Sequence, residues 1–516
     1  MNRKLELSVY DEYLSVAKKI TYAYISVFLF VLPLAITNAY YNITETKLWT
    51  FYILSGLYIL IQSIIFLIFT GAKGKGFINS FRIKVSFLDI AFILFAFSYV
   101  ISAIFSSYNI TDVLLGTGSR YQGVVTILLY VLLYFVITRT FSFSPRCLVW
   151  MGVSFSIVSV IAILNGVSID PLGFYSVLST ENQKLYISTI GNINFYSAYY
   201  NIILPVLVVG FCKAVDKKSL IIFGSFVVIG SVGMVFTSSE SFLLGFLIAL
   251  ALLLYFIMDE VKALRRFLFS CTLFIFAITL YTRLYYSEFN KDLFNFEPST
   301  LMRLFSNPII SVVLVLVFLV FFIISIKKPQ LLSSIQKVYL ISLGFCFVMG
   351  VVGIILLNTI FKDVNLGVFD FYLKFSDSWG TNRGQNWAFC INKFIKAPIV
   401  NKIFGYGPET YKYLTEKTDF YATKVLDQAH NEYLQYLISV GVVGLCAYLS
   451  IIFSTVKNII KTLSKNAVAM SILCSLIAYW IQASVNIAQP VTTPIMFIFI
   501  AILSKLSVIG KFEKVK

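Results

Sequence analysis

A chain of 516 residues in which 59% of side chains are hydrophobic and only 13% are charged lies outside the compositions of soluble, disordered and disulfide-rich proteins. A formal net charge of +17 would suit nucleic acid, yet Lys and Arg collect in short loops between apolar runs, which marks membrane orientation and no nucleic-acid partner. The seven cysteines stand singly, without a C-x-x-C pair, and read as packing residues.

In chain order, about fourteen runs are candidate spans: 20–38, 50–70, 87–105, 124–138, 147–165, 195–211, 219–236, 241–258, 267–282, 308–326, 338–359, 435–456, 467–487 and 492–509. Each is near the length needed to cross a hydrocarbon core of about 30 Å as helix. They are apolar on every face, which excludes the alternating strands of a barrel. The fold class is therefore all-α, a polytopic transmembrane helical bundle of about 12–14 spans. The first run follows Lys18 and Lys19 and lacks a small-residue cleavage site, so it reads as a retained start-transfer helix. With a cytoplasmic amino terminus the short inner loops are all basic, from Lys73, Lys75, Arg82 and Lys84 through Lys262, Arg265 and Arg266 to Lys457, Lys461 and Lys465. Both termini are then cytoplasmic.

Residues 360–430 hold no convincing span and are too long for a structureless connector, so an ordered extracytoplasmic segment is expected. Within it, Trp387, Ile391, Phe394 and Ile395 recur at helical spacing among Asn386, Asn392, Lys393 and Lys396, the pattern of an amphipathic surface helix. A Gly405-Tyr406-Gly407-Pro408 turn follows. The organisation is one integrated membrane domain: helices over 1–359, the outer loop over 360–430 and the last helices over 431–516.

His430, the sole histidine, lies where the outer segment meets the next span. If the helix is continuous, positions 430, 434, 437, 441 and 444 form one stripe, with the imidazole above Gly441 and Gly444, where another helix can approach. An imidazole with an ordinary pKa near 6.5 suits general-base work; a capping or interfacial histidine is the alternative. Two outer arginines, Arg120 and Arg383, carry the forked, permanent charge that suits a phosphate, against a role snorkelling to lipid headgroups. Asn192 and Asn194, in Gly191-Asn192-Ile193-Asn194-Phe195, fit a helix cap or a sugar contact equally. One histidine and scattered cysteines exclude the usual zinc clusters, and no outer Asp-rich motif is present, so neither metal nor cofactor is expected.

These residues resemble the O-antigen ligase and O-antigen polymerase superfamily. The likeness rests on His430-Asn431 ahead of Gly441-x-x-Gly444, on Phe404-Gly405-Tyr406-Gly407, on Arg383 before Trp387, on Gly191 to Phe195, and on Arg120-Tyr121-Gln122-Gly123. The resemblance implies a metal-independent, inverting glycosyltransferase of the cytoplasmic membrane. It would polymerise or ligate undecaprenyl-diphosphate-linked glycans at the outer face, joining them to a glycan or other hydroxyl acceptor. His430 would activate or bind the acceptor and Arg383 hold the diphosphate, with Arg120 a second cation. Asn192, Asn194, Asn431 and Trp387 would contact diphosphate or glycan, and Gly405, Gly407, Gly441 and Gly444 would be structural. One departure stands out: the family commonly has an arginine where Thr237-Ser238-Ser239 is followed by Glu240. The alternatives are a flippase for lipid-linked oligosaccharides and a non-catalytic assembly subunit, and oligomeric state is left open.

Overall fold

A long apolar run in lipid must bond every peptide group within itself, and the chain answers by becoming helical almost throughout. The computed structural model describes residues 2–79, 84–116, 120–287, 293–416, 428–460 and 466–512. The amino-terminal half comprises α1 (Asn2–Leu34), α2 (Ile43–Asn79), α3 (Phe87–Phe105), α4 (Ile110–Leu115), α5 (Val124–Thr140), α6 (Pro145–Gly166) and α7 (Thr180–Gln183). A short antiparallel pair, β1 (Tyr186–Ile187) and β2 (Gly191–Asn192), leads into α8 (Ile193–Cys212), α9 (Lys217–Gly233), α10 (Glu240–Ile257) and α11 (Val261–Tyr285). Next come α12 (Thr300–Phe305), α13 (Pro308–Lys327), α14 (Leu331–Thr359), α15 (Asp370–Leu373), α16 (Trp379–Ile395), α17 (Ile399–Phe404) and α18 (Tyr411–Glu416). The chain closes with α19 (Glu432–Ile460), α20 (Ala467–Ala483) and α21 (Thr493–Phe512).

Among the described residues, 11 helices are long and apolar enough to cross a membrane, and α5, α20 and the Thr493–Leu506 part of α21 are shorter apolar helices. These match the expected runs one for one, so the chain is an integral membrane protein built as a helical bundle. Helix α8 is its axis: 89% of its apolar window is buried, against 6% for α13 and 0% for α14. Packing in lipid favours small residues where backbones meet, and Gly245 of α10 lies so close to α20 that a Cβ there would be 2.8 Å from the Ala478 carbonyl.

Two features at one end of the bundle position the site. The β1–β2 turn is buried between helices: Ser188 Oγ donates to the Val158 carbonyl at 2.6 Å, and Thr189 Oγ1 and Lys47 Nζ both donate to the Pro33 carbonyl, at 2.7 and 2.8 Å. The second feature is a break inside α19, where Gly441 takes φ 68°, ψ −169°. The helix expected around Trp387 exists as α16, and Ile391 and Ile395 of its apolar stripe are turned away from the protein. Asn386, Phe389 and Cys390 are buried, whereas Ile391 and Ile395 are 47% and 61% exposed.

Candidate functional site

The break at Gly441 removes the continuous stripe expected from the sequence: His430 is not on the helix that carries Gly444. Glu432 makes the consequence measurable. Its Oε1 accepts from the hydroxyls of Tyr436 at 3.0 Å and Tyr448 at 2.9 Å, and its Oε2 from Tyr479 at 3.1 Å. In an unbroken helix residues 432 and 448 would stand about 24 Å apart along the axis, beyond the reach of any side-chain pair. The segment before Gly441 therefore folds back beside the continuing half of α19, and Tyr433 Oη secures it by donating to the Trp480 carbonyl at 2.7 Å.

A helix break frees carbonyls that must find other donors. The Ile438 carbonyl accepts from Tyr406 N at 2.9 Å, and the Ser439 carbonyl from Gly407 N at 3.0 Å and Ser102 Oγ at 2.6 Å. The Gly405-Tyr406-Gly407 turn thus seats itself in the break. Neither side tolerates a Cβ. At Gly405 (φ 79°) it would lie 2.2 Å from the Ser439 carbonyl oxygen, and at Gly441 2.3 Å from that of Ile403. Gly444 packs against α3, where its Cβ would meet Ser98 Oγ at 3.0 Å.

His430 sits at the start of the folded-back arm with φ 52°, between Ala429, fully buried, and Asn431. The Asn431 side-chain oxygen accepts from Leu434 N at 3.0 Å and so caps the helix. Gln428 and Glu432, two residues to either side of His430, both line a small cleft with about 10 Å³ of free space. Glu409, Gln435 and Tyr436 line it too, and so does Gln122 from the loop before α5. Gln428 Nε2 donates to the Glu409 carboxylate at 3.3 Å, and Gln435 Oε1 accepts from Ala429 N at 3.0 Å. Sequence reasoning passed over this lining; the acid two residues after His430, inside an apolar run, was the available signal.

Arg120 and the Asn192–Asn194 loop approach the same end. The Arg120 guanidinium lies over the Phe195 ring at 5.2 Å, and Gln122 Nε2 donates to the Arg120 carbonyl at 3.0 Å. Asn192 caps α8 by accepting from Asn194 N at 2.8 Å. The Asn194 carbonyl accepts from Asn486, whose neighbours Ile487 and Ala488 line the cleft.

Arg383 and Trp387 stand one turn apart on α16, and further along that helix Phe389 and Cys390 share a core with Ala429, Ile438 and Tyr411. A rise of 1.5 Å per residue puts Arg383 about 9 Å along the axis from Phe389. Burial pulls the Arg383 guanidinium below its ordinary pKa range, and no ion pair joins it to a described residue. Trp387 Nε1 is buried without an acceptor among the described residues. Burial likewise pushes the Cys390 thiol up to about 12. The loop is latched to the bundle by Lys412, whose Nζ is 3.2 Å from Asp112 on α4, and by Tyr413 stacked on Tyr108. Among the described residues no group of three or more His, Cys, Asp or Glu could hold a metal.

Glu240 has a structural occupation. Its carboxylate accepts from Thr300 N at 2.6 Å and Leu301 N at 3.1 Å, at the start of α12. Tyr372 of α15 donates to Thr300 Oγ1 at 2.7 Å alongside it. An arginine could not make these bonds, having no acceptor.

Residues 299–449 match the family described as O-antigen ligase, a stretch that contains Arg383, Trp387, His430 and the Gly405 and Gly441 contact. A Rickettsia conorii protein named as a candidate polysaccharide ligase is 32% identical over 111 residues, covering 20% of this chain. The aligned part spans about a quarter (26%) of that relative's length.

Proposed function

We propose that the chain is a membrane glycosyltransferase that takes a glycan from a lipid diphosphate, of the undecaprenyl class, and joins it to an acceptor hydroxyl at the extracytoplasmic face of the cytoplasmic membrane. The observation that carries this reading is the pairing of donors on α16: a half-buried guanidinium with no carboxylate among the described residues and, one turn on, a buried indole N–H with no acceptor among them. Both want an anion, and a forked cation beside a neutral donor suits diphosphate oxygens whose charge grows as the leaving group departs. The O-antigen ligase match over the same stretch supports it, and the basic inner loops support the orientation.

In this account the acceptor hydroxyl gives its proton to His430 and its oxygen forms the new bond to the anomeric carbon. The bond from that carbon to the phosphate oxygen breaks on the opposite side, so configuration inverts, and the lipid diphosphate leaves with the electron pair. Arg383 and Trp387 hold the leaving diphosphate, with Arg120 a second cation from the loop before α5. No step requires a metal or cofactor. Ligation and polymerisation differ only in the acceptor, and either fits. The test is a cell making the chain's own polysaccharide. His430→Ala should abolish polymer or ligated product while lipid-linked glycan accumulates, and undiminished product from a well-expressed variant would refute the assignment.

A further inference from the structure

Helices α10, α11 and α13 enclose a half-open slot with about 200 Å³ of free space. All three are long and apolar enough to cross a membrane, so the slot lies at membrane depth. Leu247 and Leu254 of α10, Phe267 and Phe274 of α11 and Phe318 of α13 face it, and no lining side chain carries a hydroxyl, an amide or a charge. One water needs about 10–15 Å³ of such space and polar partners besides, so this wall excludes water and suits hydrocarbon. From Leu243 to Leu254 it runs about 16 Å along α10 at a rise of 1.5 Å per residue.

The place where the slot ends is the second observation. Met234, Leu243 near the start of α10 and Phe305, the last residue of α12, form that end. Helix α12 begins at Thr300, whose Oγ1 accepts from Tyr372 Oη at 2.7 Å. The Tyr372 carbonyl accepts from Trp379 Nε1 at 3.0 Å, and the Trp379 ring lies 4.9 Å from that of Trp387. These contacts lead from the end of an apolar slot to the Arg383 and Trp387 donors. An amphiphile with an anionic head and a hydrocarbon tail matches both.

We propose that the slot between α10, α11 and α13 takes the first isoprene units of the donor's polyprenyl tail while α16 holds its diphosphate. The inference rests on the glycan-transfer reading. Bilayer tails are as apolar as the slot, so burial alone selects no occupant and packing must. A polyprenyl tail bears a methyl branch on every isoprene unit, which fills a slot walled by phenyl rings more completely than an unbranched acyl chain and gains dispersion contacts. A head held on α16 also keeps its own tail at a high effective concentration beside the slot.

The test is photo-crosslinking on the full chain in lipid nanodiscs, with the labelled peptides mapped by mass spectrometry. Two probes carry the same diazirine: an undecaprenyl diphosphate with the group near its head, and a phosphatidylglycerol with it on an acyl chain. The slot predicts that the polyprenyl probe labels the lining of α10, α11 and α13, that unlabelled undecaprenyl diphosphate competes, and that the acyl probe shows no preference for the slot over α14. Leu247→Trp, which fills the slot, should lower polyprenyl labelling roughly tenfold, or about 1.4 kcal/mol. Leu244→Trp, on the same helix but 46% exposed and outside the lining, should leave it unchanged. Polyprenyl labelling spread evenly over α14, equal slot labelling by both probes, or labelling untouched by Leu247→Trp overturns the proposal. The map of the native chain is read without any variant and decides the matter if Leu247→Trp fails to fold. Labelling is scored without turnover: slot labelling in a chain that never uses a lipid-linked donor sinks the transferase reading, and glycan transfer with the slot unlabelled sinks the tail site.

Discussion

The backbone N–H of Gly407 donates to the carbonyl of Ser439 at 3.0 Å. That bond joins the long loop to a transmembrane helix at the place where the helix has been opened, and it is available only because Gly441 leaves the helical conformation. The loop that brings Arg383 and the arm that brings His430 are thereby fixed to one another by backbone contacts that tolerate no side chain.

Gly441→Ala should therefore destabilise the protein. Holding a non-glycine residue at φ 68° costs about 1–3 kcal/mol, and the new methyl would meet the Ile403 carbonyl oxygen at 2.3 Å. Gly56→Ala, where nothing lies within 4 Å, is the comparison. Thermal unfolding in detergent should show a clear fall for the first and none for the second; equal melting would mean the break is not required.

Arg383→Lys keeps a positive charge but loses the guanidinium fork. If two parallel bonds to a diphosphate are at stake, each worth about 1.5–3 kcal/mol, turnover should fall roughly ten- to a hundredfold with expression unchanged. A variant with native turnover would show that the fork is not used.

Glu240→Arg, which installs the residue common there in the family the chain resembles, should lower stability and raise no activity. It removes an acceptor for Thr300 N and Leu301 N and sets a cation against the same N–H groups. Glu240→Gln keeps an acceptor and should cost less, about 1–2 kcal/mol. Higher glycan transfer by the arginine variant would return position 240 to the reacting centre.

Cys390 should resist alkylation in the folded protein at pH 7–8, being fully buried with its thiol pushed up to about 12, so that the reactive thiolate is scarce. A variant retaining only this cysteine should label with maleimide after denaturation and not before. Rapid native labelling would mean that α16 does not pack as described.

Much of the fold was legible because an apolar run long enough to cross a membrane has one conformation open to it, and so the runs from 20–38 to 492–509 became helices. The break in α19 was not legible, since Glu432 to Ile460 carries helical periodicity on both sides of Gly441 and only the tertiary contact with Gly405 selects the left-handed backbone. The same fold-back hid Glu432, whose tyrosine partners lie 4, 16 and 47 residues away in sequence. Asn192 and Asn431 were visible as polar residues at helix starts, and the cap they make is what that position favours. On α16 the apolar stripe gave the helix and its outward face, with Ile391 and Ile395 exposed, while the protein-facing side, with Asn386 buried, was not legible because it is set by tertiary packing.

The most direct test is a reconstituted turnover measurement. Purified protein in liposomes is given a polyprenyl-diphosphate-linked glycan and an acceptor glycan, and free lipid diphosphate is quantified over time for the native chain, His430→Ala and His430→Gln. The account predicts lipid diphosphate release coupled to a longer or ligated glycan in the native chain and its near-complete loss in both variants. Release at the native rate without His430 would contradict it.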